Sequence, residues 1–160
     1  QSALRLGVSD YLLKPLKDGE LEGAVRKILS VVEVGTIQAE EEASMVIHLR
    51  SAKNAKNKYV EQAIRFIEAH YREDINISTV AADLEISEGY LSRVFKKETD
   101  YTFTNYLTLY RMKVATKLLS DCRVKVYEVA DQVGYSDTAY FSAQFKKFLG
   151  VSPSEYQDRN

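Results

Sequence analysis

Arg93, Lys96 and Lys97 are the residues best placed to do chemistry. They stand at i, i+3 and i+4, so in a helix they share one face. Lys146 and Lys147 repeat the lysine pair fifty residues later. The chemistry such residues offer is non-covalent. A guanidinium donates paired hydrogen bonds to a planar acceptor, and an ammonium acts as a point charge on a phosphate. Covalent chemistry finds no comparable support. There is no paired-carboxylate, metal-spaced or nucleophile–base motif. His48 and His70 lie far apart, and Glu40-Glu41-Glu42 reads as a solvated helix face. The single Cys122 lies in a turn-like Ser120-Asp121-Cys122-Arg123, excludes an intramolecular disulfide and fits a reducing cytoplasm. No catalytic role, metal or cofactor is expected.

The bulk numbers leave this basic face to stand on its own. With 45% apolar and 28% charged residues, the chain is in the ordinary globular range. No apolar run approaches membrane-spanning length and no signal peptide is visible. Net charge is −1 over all 160 residues, and residues 58–160 carry 14 Lys and Arg against 15 Asp and Glu. An anion-binding surface must therefore arise by local segregation of charge. The first residue is Gln1, and the chain reads as part of a longer product.

The elements that carry the basic residues form an internal repeat. At an offset of 49, Val80, Ala81 and Ser87 meet Val129, Ala130 and Ser136. At an offset of 50, Tyr90, Ser92, Phe95, Lys96, Lys97 and Tyr106 meet Tyr140, Ser142, Phe145, Lys146, Lys147 and Tyr156, with one residue inserted in the second turn. Each copy reads as a short helix, a turn and a second helix, the pattern of a helix-turn-helix. In the first, Ser78 is a natural N-cap for residues 79–84, and Ser87 caps a helix through Glu98. Ala81 is the small residue where the helices cross, and Val80, Leu84, Ile86, Leu91 and Val94 should be buried. In the second, helices run near 126–133 and 137–148. Ala130 takes the crossing, and Val129, Val133, Tyr135, Phe141 and Phe145 fill the core. Gly134 occupies a turn position that favours positive φ. Glu85 holds the matching place at a local cost of about 1 kcal/mol.

A helix capped by Thr102 and running to Ser120 should join the units, with Phe103, Leu107, Tyr110, Val114 and Leu118 on one side. Before the repeat, Val60, Ala63, Ile64 and Ile67 mark a helix ending near His70-Tyr71. After it, Ser152-Pro153-Ser154-Glu155 is a capping box. By subtraction, Gly89, Ser92, Arg93, Lys96 and Lys97 remain outside on the first unit. Thr138, Ser142, Ala143, Lys146 and Lys147 remain outside on the second. One basic helix face is as readily a solvated surface. Two, each on the second helix of a helix-turn-helix, point to double-stranded DNA, with the lysines on phosphates and Arg93 and Ser92 within reach of base edges. The joining helix is long enough to hold the two near adjacent major grooves, about 34 Å apart.

The C-terminal hundred residues resemble the AraC/XylS transcription regulators. The motifs are Tyr90-Leu91-Ser92-Arg93-Val94-Phe95-Lys96-Lys97-Glu98-Thr99, Arg111 to Leu119, Val129-Ala130-Asp131-Gln132-Val133-Gly134-Tyr135-Ser136-Asp137, and Gly150-Val151-Ser152-Pro153-Ser154-Glu155-Tyr156. Arg93 matches the family's base-contacting arginine. Three positions depart from the pattern: Ala143 where an arginine is common, Asp100 where glycine is usual, and Gln157 where arginine is usual.

The N-terminal part carries a second resemblance. Gly7-Val8-Ser9-Asp10-Tyr11-Leu12-Leu13-Lys14-Pro15-Leu16 is similar to the last strand of a response-regulator receiver domain. Residues 18–32, with Leu21, Ala24, Val25, Ile28, Leu29 and Val32 on one face, are similar to its last helix. Lys14 would be the remnant of the phosphoryl contact, without the acidic residues that belong to earlier strands. Together the parts resemble a YesN-type two-component response regulator. The expected organisation is mainly α: a receiver remnant of one strand and one helix at 1–32, a helical linker at 33–57, and a double helix-turn-helix domain at 58–160. The resemblance implies a cytoplasmic regulator served by a sensor histidine kinase and RNA polymerase. The face of residues 21–32 should bury against a second copy, the downstream domain or the missing receiver portion, the first of these being a homodimer through residues 8–50. The other class of reading is a helical interaction or dimerisation module in which DNA binding is weak or lost, consistent with the near-neutral charge and Ala143.

Overall fold

A computed structural model describes residues 55–159. The receiver-like segment with Lys14, most of the linker and the segment expected to dimerise lie outside the described residues. The described part is helical, without strands, and its helices are α1 (Lys58–His70), α2 (Ile77–Asp83), α3 (Glu88–Thr99), α4 (Phe103–Leu119), α5 (Val126–Gln132), α6 (Thr138–Leu149) and α7 (Pro153–Gln157).

Each helix starts where a side chain can satisfy its free N–H groups. Ser87, Thr102, Asp137 and Ser152 accept from backbone N–H groups at the starts of α3, α4, α6 and α7. At α7 the box is closed, with Ser152 N–H donating to Glu155 at 2.8 Å. These bonds hold the Glu155 carboxyl below its usual range. α2 differs from expectation. Its cap is Asn76, whose side-chain oxygen accepts from Thr79 N–H at 3.0 Å and from the Thr79 hydroxyl at 3.2 Å. Ser78 lies inside the helix instead and donates to the Glu88 carboxylate. That bond ties the start of α2 to the start of α3.

The two turns are built alike. Glu85 has φ 53° and Gly134 has φ 86°, both left-handed as the spacing implies. In each turn the following N–H reaches back to the crossing alanine: Ile86 to Ala81 O at 3.0 Å, and Tyr135 to Ala130 O at 2.9 Å. The inserted residue is then Ser136, since Ser87 and Asp137, fifty apart, are the equivalent caps. Gly134 has a second reason to be glycine. A Cβ there would lie 2.6 Å from the Arg72 carbonyl oxygen. Asp100, at the end of α3, is also left-handed (φ 63°), matching Gly150 at the end of α6 (φ 73°).

The second unit's core is as expected: Val129, Ala130, Val133, Tyr135, Phe141 and Phe145 are all buried. The first unit is looser. Val80, Ala81 and Leu91 are buried, but Leu84, Ile86 and Val94 are only half-buried. Phe95 fills the centre instead, edge-to-face with Tyr106 at 5.5 Å, as Phe145 is with Tyr156 at 5.5 Å.

α4 corrects the expectation of one apolar side. Phe103 and Leu107 are buried, but Tyr110, Val114 and Leu118 are only half-buried. Tyr106, Leu109, Met112, Ala115, Thr116 and Leu119 are the other buried residues. The reason is position. α4 packs against α1 and α3 of one unit and against α5, α6 and α7 of the other. A helix enclosed on opposite sides has no single stripe. Its 17 residues span about 26 Å.

Backbone strain and one buried hydroxyl yield three expectations for chemical or thermal denaturation. Glu85→Gly relieves the left-handed turn and stabilises by about 1 kcal/mol. Gly134→Ala places a methyl against the Arg72 backbone and destabilises by about 2–4 kcal/mol. The Tyr106 hydroxyl is buried without a hydrogen-bond partner among the described residues, and burial pushes its phenol well above the usual range. Tyr106→Phe therefore leaves stability unchanged or raises it by up to about 1 kcal/mol. A loss of stability on that change would show that the hydroxyl has a partner.

Candidate nucleic-acid interface

α3 presents Gly89, Ser92, Arg93, Lys96 and Lys97 to solvent, all exposed. A Cβ at Gly89 would meet nothing within 4 Å, so packing inside the protein does not demand glycine there. What the missing side chain leaves is an open helix backbone that another molecule can approach closely. Lys96 and Lys97 occupy the last turn, where the helix dipole favours cations.

The other side of α3 is held by the residues before and in α1. Asn57 caps α1, donates its backbone N–H to Glu98 at 3.0 Å and its side-chain N–H to the Tyr90 hydroxyl at 3.3 Å. Tyr59 meets Tyr90 edge-on with ring centroids 6.1 Å apart. The Arg93 guanidinium lies 5.9 Å from the same ring. Tyr90 is thus held by Asn57 and Tyr59 and lies within reach of Arg93.

α6 is arranged differently. Ala143, Lys146 and Lys147 are exposed, but Thr138 and Ser142 are half-buried rather than outside. The Ser142 hydroxyl donates to Thr138 O at 2.8 Å, which turns it back on its own helix. Tyr140, the counterpart of Tyr90, is 56% exposed. Among the described residues nothing equivalent to Asn57 and Tyr59 covers it, because the positions fifty residues on, Leu107 and Leu109, are inside α4. Tyr127, at the start of α5, is also an exposed aromatic. The repeat pairs Tyr140 with Tyr90, whereas no repeat or motif marks Tyr127.

The structure brings the two sets of residues onto one scaffold, since α3 and α6 both pack on α4. Each is the second helix of a helix-turn-helix, and the described residues form a double helix-turn-helix domain. A helix-turn-helix domain family model matches residues 80–159, half of the chain. The chain is 36% identical to the C-terminal domain of the two-component response regulator YesN from Fusobacterium nucleatum, with a TM-score of 0.59 over 63% of this chain and 99% of that one. It is 26% identical to the DNA-binding domain of AdpA, solved in complex with a target DNA, with a TM-score of 0.57 over 61% of this chain and 87% of that one. It is also 32% identical over 158 residues to the transcriptional regulatory protein HptR of Staphylococcus aureus, covering 93% of this chain and 60% of HptR's length. The chain belongs to the AraC-type helix-turn-helix family.

Proposed function

We propose that the chain binds specific DNA sequences as the output part of a two-component transcriptional regulator, placing α3 and α6 in adjacent major grooves. The observation that carries this reading is the pairing of two basic helices on one rigid connector. At about 26 Å, α4 is of the right order to hold them near the roughly 34 Å repeat of B-DNA. In this reading Arg93 reads bases. Ser92 and Gly89 line the close approach, and Lys96, Lys97, Lys146 and Lys147 hold phosphates. Ala143 offers no charged contact, so α6, with Thr138 and Ser142 partly turned inward, mainly positions the protein on the backbone. The function is binding, not catalysis.

The wider organisation belongs to the same proposal. Residues 58–160 are the DNA-binding domain, 33–57 the linker and 1–32 the end of a receiver in which Lys14 takes the phosphoryl-contact place. A second copy of the chain meets the first through residues 8–50. A sensor histidine kinase and RNA polymerase are the partners of the longer protein, and its place is the cytoplasm. The relationship to a response-regulator domain and a transcriptional regulatory protein supports this wider reading.

Two measurements test it. Binding to duplex DNA should weaken with salt along a log–log slope of roughly −3 to −4, for four lysine–phosphate contacts at about −0.9 each. No binding to any duplex at low salt would favour an interaction module instead, for which the exposed Tyr127 and Tyr140 would be the first place to look. Across a panel of selected sites, Arg93→Ala should cost about 1–3 kcal/mol and relax discrimination. Lys146→Ala should weaken all sites alike and reduce the salt slope by about 1. Equal, sequence-independent losses from both would remove the distinction drawn between α3 and α6.

A further inference from the structure

We propose that Arg111 is a positioning residue: it locks the two helix-turn-helix units at one angle and so fixes the spacing of paired DNA elements that the domain accepts. The DNA half of this statement rests on the function proposed above. Arg111 lies in the middle of α4 and belongs to neither recognition helix. Its Nε donates to Tyr71 O at 2.7 Å and its Nη2 to Glu73 O at 2.8 Å. Both carbonyls are in the loop that leads into α2, in the first unit. The same guanidinium lies 5.1 Å from the centroid of the Tyr135 ring, in the turn of the second unit. Tyr135 is buried and meets Phe141, at the start of α6, with ring centroids 5.6 Å apart. Beside it, the Gly134 backbone lies so close to Arg72 that a Cβ would not fit. One cation therefore joins the loop before α2 to the turn before α6.

The chemistry suits a lock. A guanidinium stays charged at any physiological pH, and its planar fork makes two directed bonds to carbonyls while its face covers an aromatic ring. Lysine keeps the charge but cannot do all three at once. Each unit packs on α4 and is joined to it through a loop, at residues 100–102 and 120–125. The Arg111 contacts add a direct tie from the loop of the first unit to the turn of the second.

The lock is tested on the full chain in two ways. With Cys122→Ser removing the native thiol, nitroxides are placed on Ala82→Cys and Ala139→Cys, both exposed, for a distance measured without DNA. Pulsed dipolar spectroscopy without DNA should give one narrow distance distribution. Arg111→Lys and Arg111→Gln should broaden or shift it, with helical content retained by circular dichroism. An unchanged distribution in the lysine variant, which keeps stem and charge and is the safer to fold, would overturn the lock.

The second readout is duplex DNA carrying two selected elements with the spacer varied one base pair at a time. The parent chain should prefer one spacer by at least about tenfold, because both helices bind as a unit. Arg111→Lys should flatten that preference to within about threefold while binding to a single element is kept. Equal losses on single and paired elements, with the spacer preference intact, would also overturn the proposal. If the parent chain binds no duplex, the DNA reading fails, and the distance measurement still decides whether Arg111 locks the units.

Discussion

The structure depends on α4 being shared. One 17-residue helix supplies a wall to both helix-turn-helix cores. Sharing has a compositional consequence. Met112, Ala115, Thr116 and Leu119 are buried on a helix that also buries Phe103, Tyr106 and Leu107, so little of its circumference is left for solvent. It also has a geometric one. The two recognition helices are not separate domains on a tether; each rests on the same rod. Rotating one unit about α4 would have to break contacts within a packed seam, where Tyr71 meets Tyr110 at 5.4 Å and Arg111 meets Tyr135. Packed interiors of this kind hold discrete arrangements rather than deforming smoothly.

Charge is organised within this frame by exclusion. The chain is nearly neutral, so a binding surface for a polyanion cannot depend on its overall field. It depends on how the acidic residues are engaged. Several of them are committed to helix starts or loop bonds. Glu155 and Asp137 serve caps, Glu128 accepts from Lys125 N–H, and Glu98 accepts from Asn57 N–H. Asp121 binds Arg123 through both side chain and backbone, which holds its carboxyl down at about 2. Such use of carboxylates on backbone N–H groups is favourable in its own right. One helical turn before the lysine pairs stand Arg93 and Ala143, while Glu98 beside Lys97 is engaged by Asn57 and Glu155, near Lys146, by the Ser152 cap.

The elements that local chemistry decides were legible in the sequence. Ser87, Thr102 and the Ser152–Glu155 box mark helix starts because a short polar side chain can satisfy the free N–H groups whatever surrounds it. The positive φ at Glu85 followed from its alignment with Gly134. What stayed hidden was decided by tertiary contact. Asn76 and Ser78 are both good caps two residues apart; in the structure Asn76 caps the helix and Ser78 is engaged by Glu88. The single side assigned to α4 failed because the pattern for a surface helix was applied to an enclosed one. Arg111 could be quoted as part of a motif, but its acceptors are main-chain carbonyls 38 and 40 residues away, which no side-chain pattern records. Among the candidate contacts, Thr138 and Ser142 were assigned outside by subtraction. Helix periodicity cannot tell exposed from half-buried at the edge of a face.

Repetition of sequence did not produce repetition of environment, and the reason is order along the chain. The first unit is preceded by α1, whose lead-in supplies Asn57 and Tyr59 to hold Tyr90 within reach of Arg93. The second unit is preceded by α4, which is already committed to both cores and has no free end to spare for Tyr140. The terminal contacts repeat more closely because each is made by the helix that follows its unit. Arg111 in α4 bonds the carbonyls of Tyr71 and Glu73, and Gln157 in α7 bonds those of Asp121 and Val124 at 3.0 and 2.8 Å. The two side chains are not equivalent by the repeat, which sets Gln157 fifty residues after Leu107, and Arg111 alone of the two also meets an aromatic turn, the Tyr135 ring at 5.1 Å.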